Sequence, residues 1–481
     1  MKPKRADKKN FSNKAEYKKS SDNSLNALIS SDYNDLFKVY TKSCTLVAEE
    51  YLSGLLQCEK GHENMERMVE KVNDSDYKRY IHFLSVSKWS ASDVNSATMK
   101  AADRSLREQK IKSGLPTGFV IDETSHLKKG LKSVGVSRQY AGVVGKVDNC
   151  QVAVHASLSN EKFCTLVGTE LFLPEVWTKD KERCESAGVP ELDQKYLTKP
   201  ELALRLIKRA IDSGIEFDFI GGDGLYGHNA ELTRALDALS QFYVLDVHKD
   251  ELIFLTEPTF SIPERKGNNG KFPTKIQPDI EPIQLQNYIK LLADKDFSTE
   301  QIRKTAKGWK SAKVHTVTVW HWDGKEEKAC KRTLVITKSE KIKYSLSNGD
   351  KERCTNKEWA YFQCSRYWVE RCFDDCKNEL GMSGYQVTGW LAWQHHMALV
   401  MMASLYILTL KLENQDEIPL LSVRDARLLV IATVFATQKE VDLCLEHIRI
   451  RHRQRQADID RYYNNSSLNF KRQFCHKSIV L

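Results

Sequence analysis

The sequence predicts a mixed α/β fold with helical regions towards both ends. Three observations predict it. Two short apolar runs of the buried-strand type, Phe119–Asp122 and Phe217–Asp223, each end in an aspartate. Amphipathic helical stretches alternate with further strand-like runs up to Val247. Beyond them a proline-broken segment with a hairpin signal interrupts the pattern before two consecutive helices.

The 481 residues are too many for one compact core, so two to four domains are expected. With 41% hydrophobic and 28% charged residues, the chain reads as a soluble globular protein. Its formal charge of +9 is partly concentrated near the ends, which suits a polyanionic partner. Twelve cysteines occur without a CxxC pair, and the first residues run into lysines instead of an apolar leader. Both features predict reduced thiols and a cytoplasmic location. The apolar run Met397–Leu410 is too short for an ordinary membrane span and reads as a buried helix.

In chain order, residues 1–22 read as a basic disordered arm, with eight Lys or Arg among the first 20 positions. Such an arm neutralises phosphates or merely aids solubility; the sequence leaves both open. Residues 23–112 carry helical periodicity (Leu36, Val39, Tyr40, then Leu46, Val47, Tyr51, Leu55) and are expected to form a helical DNA-binding domain. Residues 113–249 form the first part of the α/β core. Strands are expected at Phe119–Asp122, Cys150–Leu158, Phe163–Leu173, Phe217–Asp223 and Phe242–Val247, and helices at Pro200–Ser213 and Asn229–Leu239. Residues 250–355 read as an inserted β-containing subdomain, with Lys313–Trp322 and Arg332–Thr337 joined at Asp323-Gly324. Trp320 and Trp322 fall on one strand face, where packing is favoured over stacking on bases. Residues 356–420 return to the core, and 421–481 form a basic helical end bearing Arg449, Arg451, Arg453, Arg455, Arg461, Lys471 and Arg472.

Three carboxylates stand out. Asp122 and Asp223 sit at the ends of buried strands, where a carboxylate needs a partner, a metal or a helix to cap. The two would lie side by side if their strands are neighbours, an adjacency that strand–helix–strand succession favours. Glu370 lies in Arg366–Lys377, a stretch with no Gly or Pro that Gly381 stops. Helical geometry puts Arg366, Glu370 and Lys377 on or near one face. An exposed helix with ordinary ion pairs is the alternative for this stretch alone. Taken together, three carboxylates suit Mg²⁺ or Mn²⁺ better than zinc, and Arg366 and Lys377 suit phosphate oxygens.

Val-Ile-Asp-Glu-Thr-Ser-His-Leu-Lys-Lys-Gly130, with Ser-Val-Gly-Val-Ser-Arg-Gln-Tyr-Ala-Gly142 and Asp-Asn-Cys-Gln-Val152, resembles the first catalytic block of bacterial insertion-sequence transposases of the DDE superfamily, most like family seven-oh-one. Gly-Asp-Gly-Leu-Tyr-Gly227 resembles the second block, and Tyr-Trp-Val-Glu-Arg-Cys-Phe-Asp-Asp-Cys-Lys-Asn-Glu-Leu-Gly-Met382 the third. The resemblance spans about residues 115–410. It implies an RNase H-like core with an insertion between the second Asp and the Glu. It also implies a metal-binding catalytic triad of Asp122, Asp223 and Glu370. Similar cut-and-paste transposases carry Tyr-x2-Arg-x3-Glu-x6-Lys around this glutamate. Arg366, Glu370 and Lys377 match, but Gln363 stands at the Tyr position, and Glu123 stands where a second Asp is expected. Asp374, Asp375 and Glu379 are nearby carboxylates without both cations at the matching offsets.

The implied function is a transposase using two Mg²⁺ or Mn²⁺. It would cleave the ends of a transposon and join the freed 3′-OH to target DNA. Its partners would be double-stranded DNA, as terminal inverted repeats and target, and a second copy of the chain on the paired end. A nucleoid-associated cytoplasmic location follows. The competing expectations are a catalytically silent DNA-binding protein derived from a transposase, and an RNase H-like nuclease without strand transfer.

Overall fold

The computed structural model describes residues 33–59, 63–72, 76–264, 273–305, 308–325 and 327–435, together with 446, 448–450, 452–453 and 455–461. The basic arm, most of the Lys266–Lys275 loop, Arg451, Lys471 and Arg472 lie outside the described residues. The chain divides into two compact units. One comprises Met1–Thr98, Asp375–Val387 and Leu391–Arg453; the other comprises Met99–Asp374, Thr388–Trp390 and Gln454–Leu481.

The first unit is built on helices. Thr45–Gln57, Met65–Lys71 and Tyr77–Ser85 correspond to the expected helical region. The apolar run predicted as one buried helix belongs to the helix Trp390–Glu413, whose residues Met397–Leu408 are all buried. That helix is long and apolar enough to cross a membrane, but most of its residues are buried inside the protein, as in a core helix. Both of its histidines contact neighbours within this unit. Tyr51 Oη lies 3.0 Å from His396 Nδ1, while His395 stacks on Trp89 at 3.7 Å and contacts the carbonyls of Leu84 and Trp89. Gly381 takes φ +68°, and Met382 N donates back to Cys376 O at 3.1 Å, which is how glycine stops a helix here.

The second unit is organised by a ten-stranded sheet. Its strands are β1 (Gly118–Leu127), β2 (Ser137–Ala141), β3 (Lys146–Asn160), β4 (Phe163–Phe172), β5 (Phe219–Gly222), β6 (Tyr243–Val247), β7 (Ser298–Thr305), β8 (Gly308–His321), β9 (Cys330–Lys338) and β10 (Ile342–Ser347). The order across the sheet is β7-β8-β9-β10-β6-β5-β1-β3-β2. The long strand β3 holds β2 along Lys146–Cys150 and β4 along Val152–Asn160. β1, β3 and β4 are antiparallel neighbours, whereas β1, β5 and β6 run parallel. The parallel pair β5–β6 is a strand–helix–strand connection of the kind expected from sequence, through the helix Ala230–Ala238, whereas the helix Lys199–Asp212 leads from β4 into β5. Thr198 and Glu201 form a capping box on Lys199–Asp212, and Asn229 caps Ala230–Ala238 through Leu232 N–H.

Two details differ from the sequence expectation. β1 continues five residues past Asp122, because its pairing with β3 runs on to Leu127 opposite Cys150. Asp122 is therefore in the middle of its strand. The Asp323-Gly324 signal does not make a two-residue turn. β8 and β9 pair only as far as His321 and Cys330, and Asp323 instead forms an ion pair with Arg234. The strands of residues 298–347 add directly to the core sheet through β10 and β6. Trp322 packs on Phe260 at a centroid distance of 4.7 Å, and the Trp320 backbone pairs with Phe254, in keeping with packing.

Sheet register positions the site. Val120 pairs with Gly221, and Gly221 with Val244. Side chains alternate with a period of two, so Asp122, two beyond Val120, and Asp246, two beyond Val244, share one face. Ser345, directly opposite Asp246, and His155, opposite Asp122, share it too. The helix Asn356–Cys364 packs on this face through Trp359 and Phe362 against Phe219, Val244 and Val335. The helix Arg366–Glu379 follows directly.

Candidate active site

Asp122 reaches this face from β1, and Asp223 follows the last residue of β5. Asp223 caps the short helix Gly224–Gly227, accepting from Leu225 N–H at 2.9 Å. The Gly-Asp-Gly-Leu-Tyr-Gly run is thus a tight strand-to-helix turn. Gly227 is required by close approach: a Cβ there would sit 2.0 Å from the carbonyl oxygen of Asp246.

Arg366 opens its helix and gathers carboxylates from three elements. Its Nη1 donates to Asp122 Oδ2 at 3.3 Å, its Nη2 lies 2.7 Å from Glu370 Oε1, and its Nε lies 3.3 Å from Asp246 Oδ2. The Arg366–Glu370 pair is the one-turn neighbour contact expected from sequence. Asp122, Glu370 and Arg366 therefore come together in the structure. Asp223 is coupled to the group electrostatically. Lys377 lies further along the same helix, half-buried, within the helical unit. Among the described residues, no three His, Cys, Asp or Glu side chains close into a ready-made metal cluster.

The electrostatics follow from crowding acids on a half-buried face. Burial, reinforced by the charge of Asp223 and opposed by Arg366, pushes the Asp122 carboxyl up to about 7. Burial also raises Asp223, with Glu123 adding to it and the Leu225 N–H and Arg366 opposing. Asp246 is raised by burial as well, against the Ser345 hydroxyl and Arg366. Burial works against the charge of Arg366, but Glu370, Asp246 and Asp122 outweigh it and strengthen its hold on the proton.

Glu123, at the position where a second Asp is expected, is fixed from two sides. Lys199 Nζ donates to Oε1 and Tyr226 Oη to Oε2, each at 2.9 Å. Gln363, at the expected Tyr position, is 2% exposed. Its amide nitrogen donates to Val335 O at 3.2 Å and Ser345 Oγ at 2.7 Å, and its oxygen accepts from Thr337 Oγ1 at 2.5 Å. It is part of the interior. Asp246 was missed by sequence reasoning. Its signal was present as the sole acidic residue in Tyr-Val-Leu-Asp-Val, a strand already recognised as buried.

The family described as DDE superfamily endonuclease matches residues 35–309. The chain is 27% identical over 310 residues to a protein of Microchaete diplosiphon described as a probable transposase for insertion sequence element IS701, covering 64% of this chain and 68% of that one. Among solved structures it was matched to the NurA nuclease of Sulfolobus solfataricus, at 12% identity over 64% of this chain and 86% of the nuclease. The TM-score of 0.21 means that this likeness carries no argument about fold. The family match spans more than half of the sequence and takes in both strand aspartates and their surroundings: this chain is a member of the DDE superfamily of endonucleases.

Proposed function

We propose that the chain is a transposase that cleaves transposon ends and joins the 3′-OH to target DNA, with Asp122, Asp223 and Glu370 as its catalytic, metal-binding carboxylates. The observation that carries this reading is the convergence of Asp122, Asp246 and Glu370 on the single guanidinium of Arg366, beside Asp223. Three carboxylates share one cation, a fourth acts on it electrostatically, and burial has already raised three of the four. Such a surplus of acidic oxygen fits divalent cations with hard oxygen ligands, Mg²⁺ or Mn²⁺. The strand order β4-β3-β1-β5-β6, antiparallel on one side and parallel on the other, supports an RNase H-like core that the inserted strands extend.

Two such ions, when bound, supply Lewis-acid charge to the attacking and leaving oxygens of an in-line phosphoryl displacement. The protein's part is placement. Asp122 presents its oxygens from a fixed sheet position, Asp223 from a capped turn, and Glu370 from a side chain half exposed to solvent. Arg366 and Lys377 are the phosphate-binding cations. A fork-shaped guanidinium suits two nonbridging oxygens, and the lysine acts as a point charge. The helical unit and basic ends would hold double-stranded DNA, and joining two ends calls for a dimer on paired inverted repeats.

The test is to incubate the protein with Mg²⁺ or Mn²⁺ and DNA carrying the element's own ends, beside Asp122→Ala and Glu370→Ala. Nicking at the ends by the wild type, lost in both variants with DNA binding retained, is the expected result. Binding without cleavage by all three proteins in either metal would replace it with a silent DNA-binding protein. Cleavage without joining of a precut end would reduce it to a nuclease.

A further inference from the structure

Asp246 is the site carboxylate held most firmly by the fold. Its Oδ2 faces Arg366 Nε, and its Oδ1 accepts from Ser345 Oγ at 2.6 Å. Ser345 accepts in turn from the Gln363 amide, whose oxygen takes the Thr337 hydroxyl. Ser345, Gln363 and Thr337 are 0%, 2% and 3% exposed. The relay spans β6, β10, β9 and the helix Asn356–Cys364, so each member is fixed by another element. The hydrogen bonds from Thr337 through Gln363 and Ser345 to Asp246 Oδ1 are all made, so the relay is rigid as far as that oxygen, because any move leaves a donor or acceptor unpaired. From Asp246 Oδ2 to Arg366 Nε the link is an ion pair at 3.3 Å without hydrogen-bond geometry.

The two other carboxylates on Arg366 are held differently. Glu370 is half exposed and touches only an Nη nitrogen, and Asp122 also touches only an Nη nitrogen. The guanidinium therefore has one corner, Nε, ion-paired at 3.3 Å with the carboxylate that the relay fixes, and two corners on carboxylates that the proposed function assigns to cations. A guanidinium this shielded from solvent and stripped of all partners would lose far more than an exposed one.

We infer that Asp246 is a positioning residue: it holds Arg366 at Nε as a pivot, so that both Nη nitrogens pass to a DNA phosphate when a divalent cation takes Asp122 and Glu370. The inference rests on the transposase reading for the identity of the phosphate, but the pivot itself is a property of the protein and its cation. It also accounts for Gln363. That residue is the middle member of the relay, between Ser345 and Thr337, buried out of reach of a phosphate.

The experiment uses the full chain with Asp246→Ala, Arg366→Ala and the double variant, and Asp246→Asn if the alanine protein does not fold. Thermal melts with and without saturating Mn²⁺ give the Asp246–Arg366 coupling. It should survive Mn²⁺, and Asp246→Ala should leave the Mn²⁺ dissociation constant within twofold of wild type. Where ends are cleaved, Asp246→Ala should lower kcat/KM for DNA 10–100-fold and have no further effect in the Arg366→Ala background. Coupling that vanishes in Mn²⁺, or effects that multiply in the double variant, would overturn the pivot. Tenfold weaker Mn²⁺ binding would make Asp246 a ligand instead, and a wild type that binds no Mn²⁺ would remove the release step. Failure to cleave DNA would strike the transposase reading alone, since the melts and Mn²⁺ titration still decide the pivot.

Discussion

Gly227 lies directly beneath the backbone carbonyl of Asp246, so close that a side-chain carbon would approach the oxygen to 2.0 Å. This contact docks the turn carrying Asp223 against the strand carrying Asp246. Gly227→Ala cannot be absorbed by a side-chain shift, because the obstacle is backbone. The turn has to move, and Asp223 moves with it. Expected outcomes are a loss of about 2–4 kcal/mol, in the range for overpacking with backbone displacement, and loss of end cleavage. Chemical denaturation and the cleavage assay check the two separately. Gly130→Ala, with nothing within 4 Å of its added carbon, is the control.

Asp122 makes stability depend on pH with a definite sign. Its carboxyl moves from an ordinary value of 3.8 to about 7 on folding. Between those values the folded state holds a proton that the unfolded state has released, so the contribution of this group to stability falls as pH rises and is lowest above 7. Asp122→Asn removes that penalty. The variant should be more stable than wild type at pH 8 by about 1–2 kcal/mol, with the lost Arg366 pair offsetting the rest of the shift. The gain should disappear as pH approaches 4. Urea titrations at pH 8 and pH 5 without divalent cations test this; equal differences at both pH values would sink it. Added Mg²⁺ or Mn²⁺ should stabilise wild type and not the variant.

Gln363→Ala should be costly although the position faces no solvent. It strands the Thr337 hydroxyl in the interior and takes a donor from the Val335 carbonyl and from the Ser345 hydroxyl, which keeps Asp246. A loss of about 2–4 kcal/mol is expected from a buried network broken at its centre. Gln363→Tyr, which would restore the residue of the related motif, should also destabilise, because a larger ring has to enter a site with 2% exposure. Melting temperatures of both variants provide the check, and a Gln363→Tyr protein as stable as wild type would show that the ring finds its way out.

How much of this was legible beforehand depended on whether the signal was local. Asp122, Asp223 and Glu370 stand out as candidates because each contrasts with its surroundings, two after apolar runs and one between cations at helical spacing. The strands and helices of the core were legible from periodicity and caps such as Thr198 and Asn229. Asp122 was misplaced to a strand end because the polar Glu-Thr-Ser-His tail looked like a turn; pairing with β3, 23 or more residues away in sequence, overrides that. Asp246 went unassigned because its meaning comes from register. Only the pairing of β6 with β5 and β10 shows which face it occupies. Gln363 stood out only as a departure from the Tyr position for the same reason: its partners lie on two other strands, β9 and β10.

Glu123 offers the last test, because it departs from the expected Asp and the structure gives the departure a use. The longer side chain spans Lys199 at the start of one helix and Tyr226 in the turn after Asp223. An aspartate at this point is one methylene shorter, so Glu123→Asp should lose one of the two 2.9 Å contacts. Tyr226→Phe loses one by design and leaves the other. If Glu123 acts by steadying the Asp223 turn, the two variants should resemble each other, each costing about 1–2 kcal/mol and lowering end cleavage several-fold. Lys199→Ala, which leaves the tyrosine contact in place, should affect cleavage less than Tyr226→Phe does. The decisive comparison is the Mn²⁺ dissociation constant. A group that only steadies the turn changes it little, whereas a direct ligand weakens it tenfold or more on Glu123→Gln. That substitution keeps the length of the side chain and the acceptor for Tyr226, so its effect isolates charge from reach.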